Sequence, residues 1–152
     1  MMKNLVIAFA AAVGLCAAAA TQARADLPTA VTDANKAGNH FTTAANYAHD
    51  SAGWAFTMSD YTAMNKAANH FNNAATQAHD AAGYYANGDW SDGDTALEAA
   101  ATLYHQGMTL LNSAGNGTNE QAQQFYDDQD TAATYAGQAY TLVGKAFQQA
   151  GG

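Results

Sequence analysis

The sequence predicts an all-α protein, an antiparallel up-down-up-down four-helix bundle whose helices contact one another through alanine-rich faces. Four segments carry apolar residues at spacings of three and four, the pattern of an amphipathic helix. Alanine, the residue with the highest helix propensity, occupies most of these apolar positions. Short polar stretches that contain glycine separate the segments. Four helices joined by short connections favour a bundle in which neighbouring helices run in opposite directions.

Residues 1–25 have the composition of a secretory signal peptide. A short basic start precedes an uncharged apolar run over residues 5–20. That run is shorter than the roughly 20 residues that span a bilayer, and Ala23-Arg24-Ala25 follows it with the small side chains that a signal peptidase accepts. We therefore predict cleavage before Asp26 and a periplasmic or secreted location.

The segment that follows, residues 26–152, is predicted to form a single domain held together by packing alone. The only cysteine, Cys16, lies in the leader, where the preceding Leu15 disfavours a lipoprotein signal. The segment contains three lysines, no arginine and 13 acidic residues, which gives a formal net charge of −10. Such a charge repels phosphate backbones, so nucleic acid is not an expected partner. No apolar stretch in it is long enough to cross a membrane.

A duplicated unit relates the first two predicted helices. Residues 35–54 recur as residues 65–84 with 13 of 20 positions identical, including Asn-His-Phe near the start and His-Asp near the end of each copy. A 30-residue period of this kind indicates internal duplication. Each copy holds one helix and a loop, whereas a tetratricopeptide-type repeat needs about 34 residues for two helices, so the bundle is the preferred architecture.

Each predicted helix has one apolar stripe along its length. The stripes of the first two are Ala34, Ala37, Phe41, Ala44, Ala45, Ala48 and Ala52, and Met64, Ala67, Phe71, Ala74, Ala75, Ala78 and Ala82. Those of the last two are Leu97, Ala100, Ala101, Tyr104, Met108 and Leu111, and Ala122, Phe125, Ala132, Tyr135, Ala136, Ala139, Val143 and Ala146. The wider layers of the core are expected to be filled by Phe41, Phe71, Tyr104, Phe125 and Phe147.

Capping residues and turn clusters set the expected helix ends. Pro28 is expected to precede the first helix, and the predicted N-caps are Thr32 or Asp33 for the first helix, Ser59 or Asp60 for the second, and a Thr118–Gln121 capping box for the fourth. Residues 87–93 form a turn cluster before the third helix. Residues 87–98 also have the oxygen spacing of a calcium loop, but Asp92 stands where that loop requires glycine, which favours an acidic helix start.

The five histidines are the candidate site. His40, His49, His70, His79 and His105 all flank an apolar stripe, where neighbouring helices can reach them. If the first two helices turn near Ser59-Asp60, position n lies level with position 119 − n, so that His40 faces His79 and His49 faces His70. If the first helix ends at Gly53 instead, these pairs slip by six residues, about 9 Å. Imidazole ligands suit copper, zinc or nickel, so the pattern predicts a divalent transition-metal site that buffers or carries the ion.

A second interpretation gives the histidines a packing role. No helix carries a His-x3-His pair, and duplication copied the histidines together with everything else. The competing function is therefore a non-catalytic envelope or secreted interaction protein that uses its eight tyrosines and its Asn/Gln-rich faces. Ala-rich helices pair between chains as readily as within one, so a homo-oligomer fits the pattern. No di-iron, covalent haem or hydrolase motif is present, and the chain is not expected to be an enzyme.

In overall plan the chain resembles the small periplasmic metal-binding proteins that fold as histidine-bearing four-helix bundles. The resemblance rests on the export signal, on the Ala-rich repeats that carry His40, His49, His70 and His79, and on Leu97-Glu98-Ala99-Ala100 leading to His105. It implies metal binding in the periplasm. That family is denser in histidine and lysine, which implies a lower metal capacity for this chain.

Overall fold

A computed structural model describes residues 26–115 and 120–151. It contains four helices, α1 (Leu27–Gly53), α2 (Met58–Ala86), α3 (Trp90–Ser113) and α4 (Glu120–Ala150), and the described ranges include no strand. The predicted all-α class is therefore confirmed, with four helices packed together. Among the described residues, none of the helices has the length and apolar character needed to cross a membrane. The predicted signal peptide and the Thr118–Gln121 capping box lie outside what the structure describes.

The helix starts differ from those that the sequence predicts. α1 begins at Leu27 and includes Pro28 in its first turn, where a missing N–H costs nothing and the fixed φ suits a helix, so the predicted N-caps of α1 are wrong. The N-cap of α2 is Thr57, whose Oγ1 accepts a hydrogen bond from the Asp60 backbone N–H at 3.1 Å. α3 is helical from Trp90 onward, which excludes a calcium loop over residues 87–98.

Alanine faces hold α1 against two neighbours. α1 packs along its length against both α2 and α4, and α2 packs in the same way against α3, whereas α3 and α4 contact each other far less. The predicted stripe residues of α1 and α2 are all buried. Of the five aromatic residues expected to fill the core, Phe41, Phe71 and Phe125 are buried, and Tyr104 and Phe147 are only partly so.

Glycines make room for the large rings between α2 and α3. Gly107 lies under the buried ring of Phe71, and a Cβ on Gly107 would come within 2.6 Å of that ring. Gly93 lies in the same way under Tyr85, whose hydroxyl donates a hydrogen bond to Asp94 Oδ1 at 2.8 Å. Burial and this carboxylate raise the pKa of Tyr85, so the phenol stays protonated. The spacing of α2 and α3 is thus set by rings seated on bare backbone.

We predict that Gly107→Ala lowers the free energy of unfolding by up to about 2 kcal/mol. Overpacking a core usually costs about 1–3 kcal/mol, and the higher helix propensity of alanine offsets about 1 kcal/mol of that cost. Gly137→Ala is the matched control, because nothing lies within 4 Å of its added Cβ. Urea denaturation should show the control to be as stable as the parent or more stable. Equal stability of the two variants would contradict the seating of Phe71 on Gly107.

Candidate functional site

An apolar groove opens between α3 and α4, which contact each other far less than the other neighbouring helices do. Its volume is about 350 Å³, and it is lined by Leu97, Glu98, Ala101, Tyr140, Thr141, Val143, Gly144 and Phe147. Most of this lining is apolar, and Glu98 supplies its one charged side chain. Pockets of about 300–1,000 Å³ with apolar walls and few polar groups are the usual form of a small-molecule site. The groove therefore has the size and the lining of a ligand site.

Small residues between large ones create this groove. On α4, Gly144 lies four residues after Tyr140 and three before Phe147, so these three positions share one face of the helix. On α3, Ala101 lies one turn after Leu97. A Cβ on Gly144 would meet no atom within 4 Å. Close packing therefore does not require glycine at position 144, and its backbone conformation does not require it either. The missing side chain leaves space between the rings of Tyr140 and Phe147.

An aromatic stack joins α3 to α4 through Tyr140, one of the residues that line the groove. The rings of Tyr104 and Tyr140 are stacked, with centroids 4.5 Å apart and an interplanar angle of 13°. His105 meets the Tyr140 ring edge-on at 5.1 Å, and Phe41 of the core lies 6.3 Å from Tyr104. Burial and the neighbouring Tyr140 raise the pKa of Tyr104, so this phenol is neutral at pH 7. These rings fix the position of Tyr140 in the groove wall.

Two equivalent histidines join α1 to α2 through asparagine. His49 Nδ1 lies 3.0 Å from Asn65 Oδ1, and His79 Nδ1 lies 3.1 Å from Asn35 Oδ1. Asn35 and Asn65 occupy equivalent positions of the repeat, as do His49 and His79. Each pair therefore joins the histidine of one copy to the asparagine of the other. Because an amide oxygen can only accept a hydrogen bond, the histidine Nδ1 is the donor in each pair. The repeated Asn and His residues thus bridge the two helices reciprocally.

These bridges fix which residues lie level on α1 and α2. The residue numbers in each bridge sum to 114, whereas pairing of His40 with His79 requires a sum of 119. α1 ends at Gly53, the case in which the histidine pairs slip by about 9 Å. A four-residue connection, residues 54–57, then leads into α2. These contacts therefore pair each histidine with an asparagine. They do not place His40 opposite His79 or His49 opposite His70.

The other three predicted ligands have separate surroundings. His40 stacks on Tyr135 at 5.6 Å, and His105 packs against Tyr104 and Tyr140. The Nδ1 of His70 is buried without a hydrogen-bond partner. Within residues 26–115 and 120–151, no group of three or more His, Cys, Asp or Glu side chains is placed to hold one metal ion.

The sequence predicts the five histidines as candidate ligands, but it does not predict the groove between α3 and α4. Leu97, Ala101 and Val143 were assigned to the apolar stripes, but nothing in their spacing separates a packed seam from an open one. The available signal was Gly144 between Tyr140 and Phe147, a glycine on an otherwise bulky helix face.

Comparison with protein-family models, with curated proteins and with solved structures found no significant match for this chain.

We predict that His79 and Asn35 stabilise the helix pair together, while His40 and His79 do not. In a double-mutant cycle, H79A and N35A should show a coupling of about 0.5–1.5 kcal/mol, the usual net contribution of a protein hydrogen bond. The matched cycle with H40A and H79A should give a value within about 0.3–0.5 kcal/mol of zero, the error expected for independent sites. Strong coupling of His40 to His79 would restore the pairing that a turn at Ser59-Asp60 requires.

Proposed function

We propose that this chain is an exported, non-catalytic binding protein that takes a small apolar molecule into the groove between α3 and α4. One observation carries the proposal: a groove of about 350 Å³, apolar and bounded by Tyr140 and Phe147, where the other neighbouring helices are closely packed. In this proposal residues 1–25 are removed as a signal peptide and residues 26–152 act as one domain in the periplasm or outside the cell.

The groove is suited to binding rather than to bond breaking. Its lining contains one carboxylate and one phenol, and Leu97, Val143 and Phe147 give a surface that gains free energy when a ligand displaces water. A ligand of about 20 non-hydrogen atoms, at about 0.3 kcal/mol per atom, would bind with about 6 kcal/mol, a Kd of tens of micromolar. An affinity of this order suits reversible carriage.

The antiparallel up-down-up-down order belongs to the same proposal. It is supported by paired contacts in which a residue early in one helix meets one late in its neighbour. His49 and His79 of the α1–α2 pair meet Asn65 and Asn35, respectively. Between α1 and α4, Ser51 Oγ donates to the Phe125 carbonyl at 3.0 Å, and Gln149 Nε2 donates to Asp33 Oδ2 at 3.2 Å. The reciprocal bridges of α1 and α2 also support their origin by duplication.

A divalent transition metal bound by histidine is the second candidate, and His70 is the observation for it. A buried nitrogen without a partner carries a desolvation cost that a bound ion would offset. Ordinary zinc sites have three or four protein ligands, and no such group lies together among the described residues, so the proposed site is a weak one that buffers copper, zinc or nickel.

The groove proposal predicts that Gly144→Leu abolishes binding of a neutral apolar dye such as Nile red. The new side chain would occupy the space between Tyr140 and Phe147, whereas Gly137→Leu, on the same helix, lies outside the groove lining and should leave binding unchanged. Fluorescence titration would give the Kd of each protein, and circular dichroism would confirm that both variants are folded. Unchanged binding in both variants would place the dye elsewhere and overturn the proposal.

The metal proposal predicts that zinc, copper or nickel raises the melting temperature, because a ligand bound only by the native state stabilises it. The rise should be complete near one equivalent of bound metal and should disappear in His70→Gln. His105→Gln is the comparison, since His105 is exposed and packs against tyrosines. No rise with any of the three ions would remove the metal candidate and leave the groove proposal unaffected.

A further inference from the structure

We propose that the groove ligand is an apolar cation, such as a small aromatic amine or an organic ammonium or phosphonium ion. This inference rests on the proposed function, since it names the class of molecule that the same groove takes. It follows from the negative charge of Glu98 and from the aromatic rings of Tyr140 and Phe147, which all line the groove. The two features together select the sign of the ligand charge as well as its apolar body.

Glu98 supplies the negative charge. Its side chain is exposed on α3 and lines the groove beside Leu97 and Ala101. The backbone carbonyl of Glu98 accepts a hydrogen bond from Thr102 Oγ1. Within the described ranges, no lysine forms an ion pair with the Glu98 carboxylate. The carboxylate is therefore available to a positive group held in the groove.

Among residues 26–115 and 120–151, no lysine lines the groove. Lys145 follows Gly144 in the chain, but its side chain is exposed and is not part of the groove lining. The other lysines of residues 26–152 are Lys36, which approaches Asp33 at 3.9 Å, and Lys66 on α2. With a formal charge of −10 over this segment, the surface field attracts cations and repels anions.

The rings supply the complementary contact for such a ligand. Tyr140 and Phe147 lie seven residues apart on one face of α4, and Gly144 leaves the space between them empty. Organic cations bind well beside aromatic rings because the ring quadrupole attracts positive charge while the ring body buries the apolar part. Tyr140 is held in place by its stack with Tyr104, so this wall is formed before a ligand arrives. A neutral apolar molecule gains only the burial, and an anion also meets Glu98.

The test uses tetraphenylphosphonium and tetraphenylborate, which share shape and size and differ in the sign of their charge, together with neutral Nile red. Protein recovered from cells that express the full chain is titrated with each probe at low salt. We expect the phosphonium ion to bind at least about tenfold more tightly than the borate, a ratio that corresponds to about 1.4 kcal/mol. Gly144→Leu should abolish binding of both Nile red and the phosphonium ion.

Glu98→Gln tests whether the carboxylate in the groove, and not the net negative charge of the protein, attracts the cation. It should weaken phosphonium binding at least about threefold and should change the Kd of neutral Nile red by a smaller factor. Asp92→Asn is the matched control, because it removes one exposed negative charge from the first turn of the same helix without touching the groove. It should weaken phosphonium binding by much less than Glu98→Gln does.

The outcomes distinguish this inference from the proposed function. If Nile red binding depends on Gly144 but the two ions bind equally, the groove proposal stands and the cation preference is wrong. If phosphonium binding survives Gly144→Leu, or responds equally to Glu98→Gln and Asp92→Asn, the cation binds to the acidic surface in general and the inference is overturned. If Nile red itself does not bind, the proposed function fails.

Discussion

The close approach of α1 to α2 and α4 along alanine faces is the constraint on which the rest of the structure depends. Each buried alanine removes little apolar area from water, so stability requires many of them along long helices. Helices that meet through methyl groups leave no room for a ring unless the facing residue is smaller still. Phe71 and Tyr85 are accordingly accommodated by Gly107 and Gly93. α3 and α4 contact each other far less, and the Tyr104–Tyr140 stack lies between them.

The same constraint explains what the repeated histidines do in the fold. An alanine seam between α1 and α2 leaves polar side chains at its edges, and there Asn and His from opposite copies meet. The sequence repeat makes each bridge the counterpart of the other. A histidine that donates to an asparagine has a structural reason to recur that does not involve metal. A short connection follows Gly53, and the paired residue numbers sum to 114 where a turn near Ser59-Asp60 requires 119, so the two arrangements differ by five residues along the partner helix.

Periodicity sufficed to predict the class, the number of helices and most of the core. The buried stripe of α2 from Met64 to Ala82 follows from the sequence alone, because only one face of that segment is apolar. Helix ends were harder to predict. A proline such as Pro28 can lie in a turn before a helix or in the first turn of the helix itself, and the sequence does not distinguish these two positions. The level of α1 against α2 depends on four connecting residues, so the histidine pairing could not be settled from spacing.

The groove between α3 and α4 could not be predicted from the sequence for a different reason. A small residue in an apolar stripe produces close packing if the facing helix approaches and a hole if it does not. Gly107 and Gly144 have the same chemistry, yet one supports the Phe71 ring and the other faces open space. Gly144 also forgoes about 1 kcal/mol of helix propensity relative to alanine. Gly83 and Gly137 have equally open Cβ positions, so openness alone marks nothing. What distinguishes Gly144 is its place between two aromatic side chains, in a groove that Ala101 and Glu98 also line. A single leucine there would fill the groove, and its absence keeps apolar surface available to a ligand.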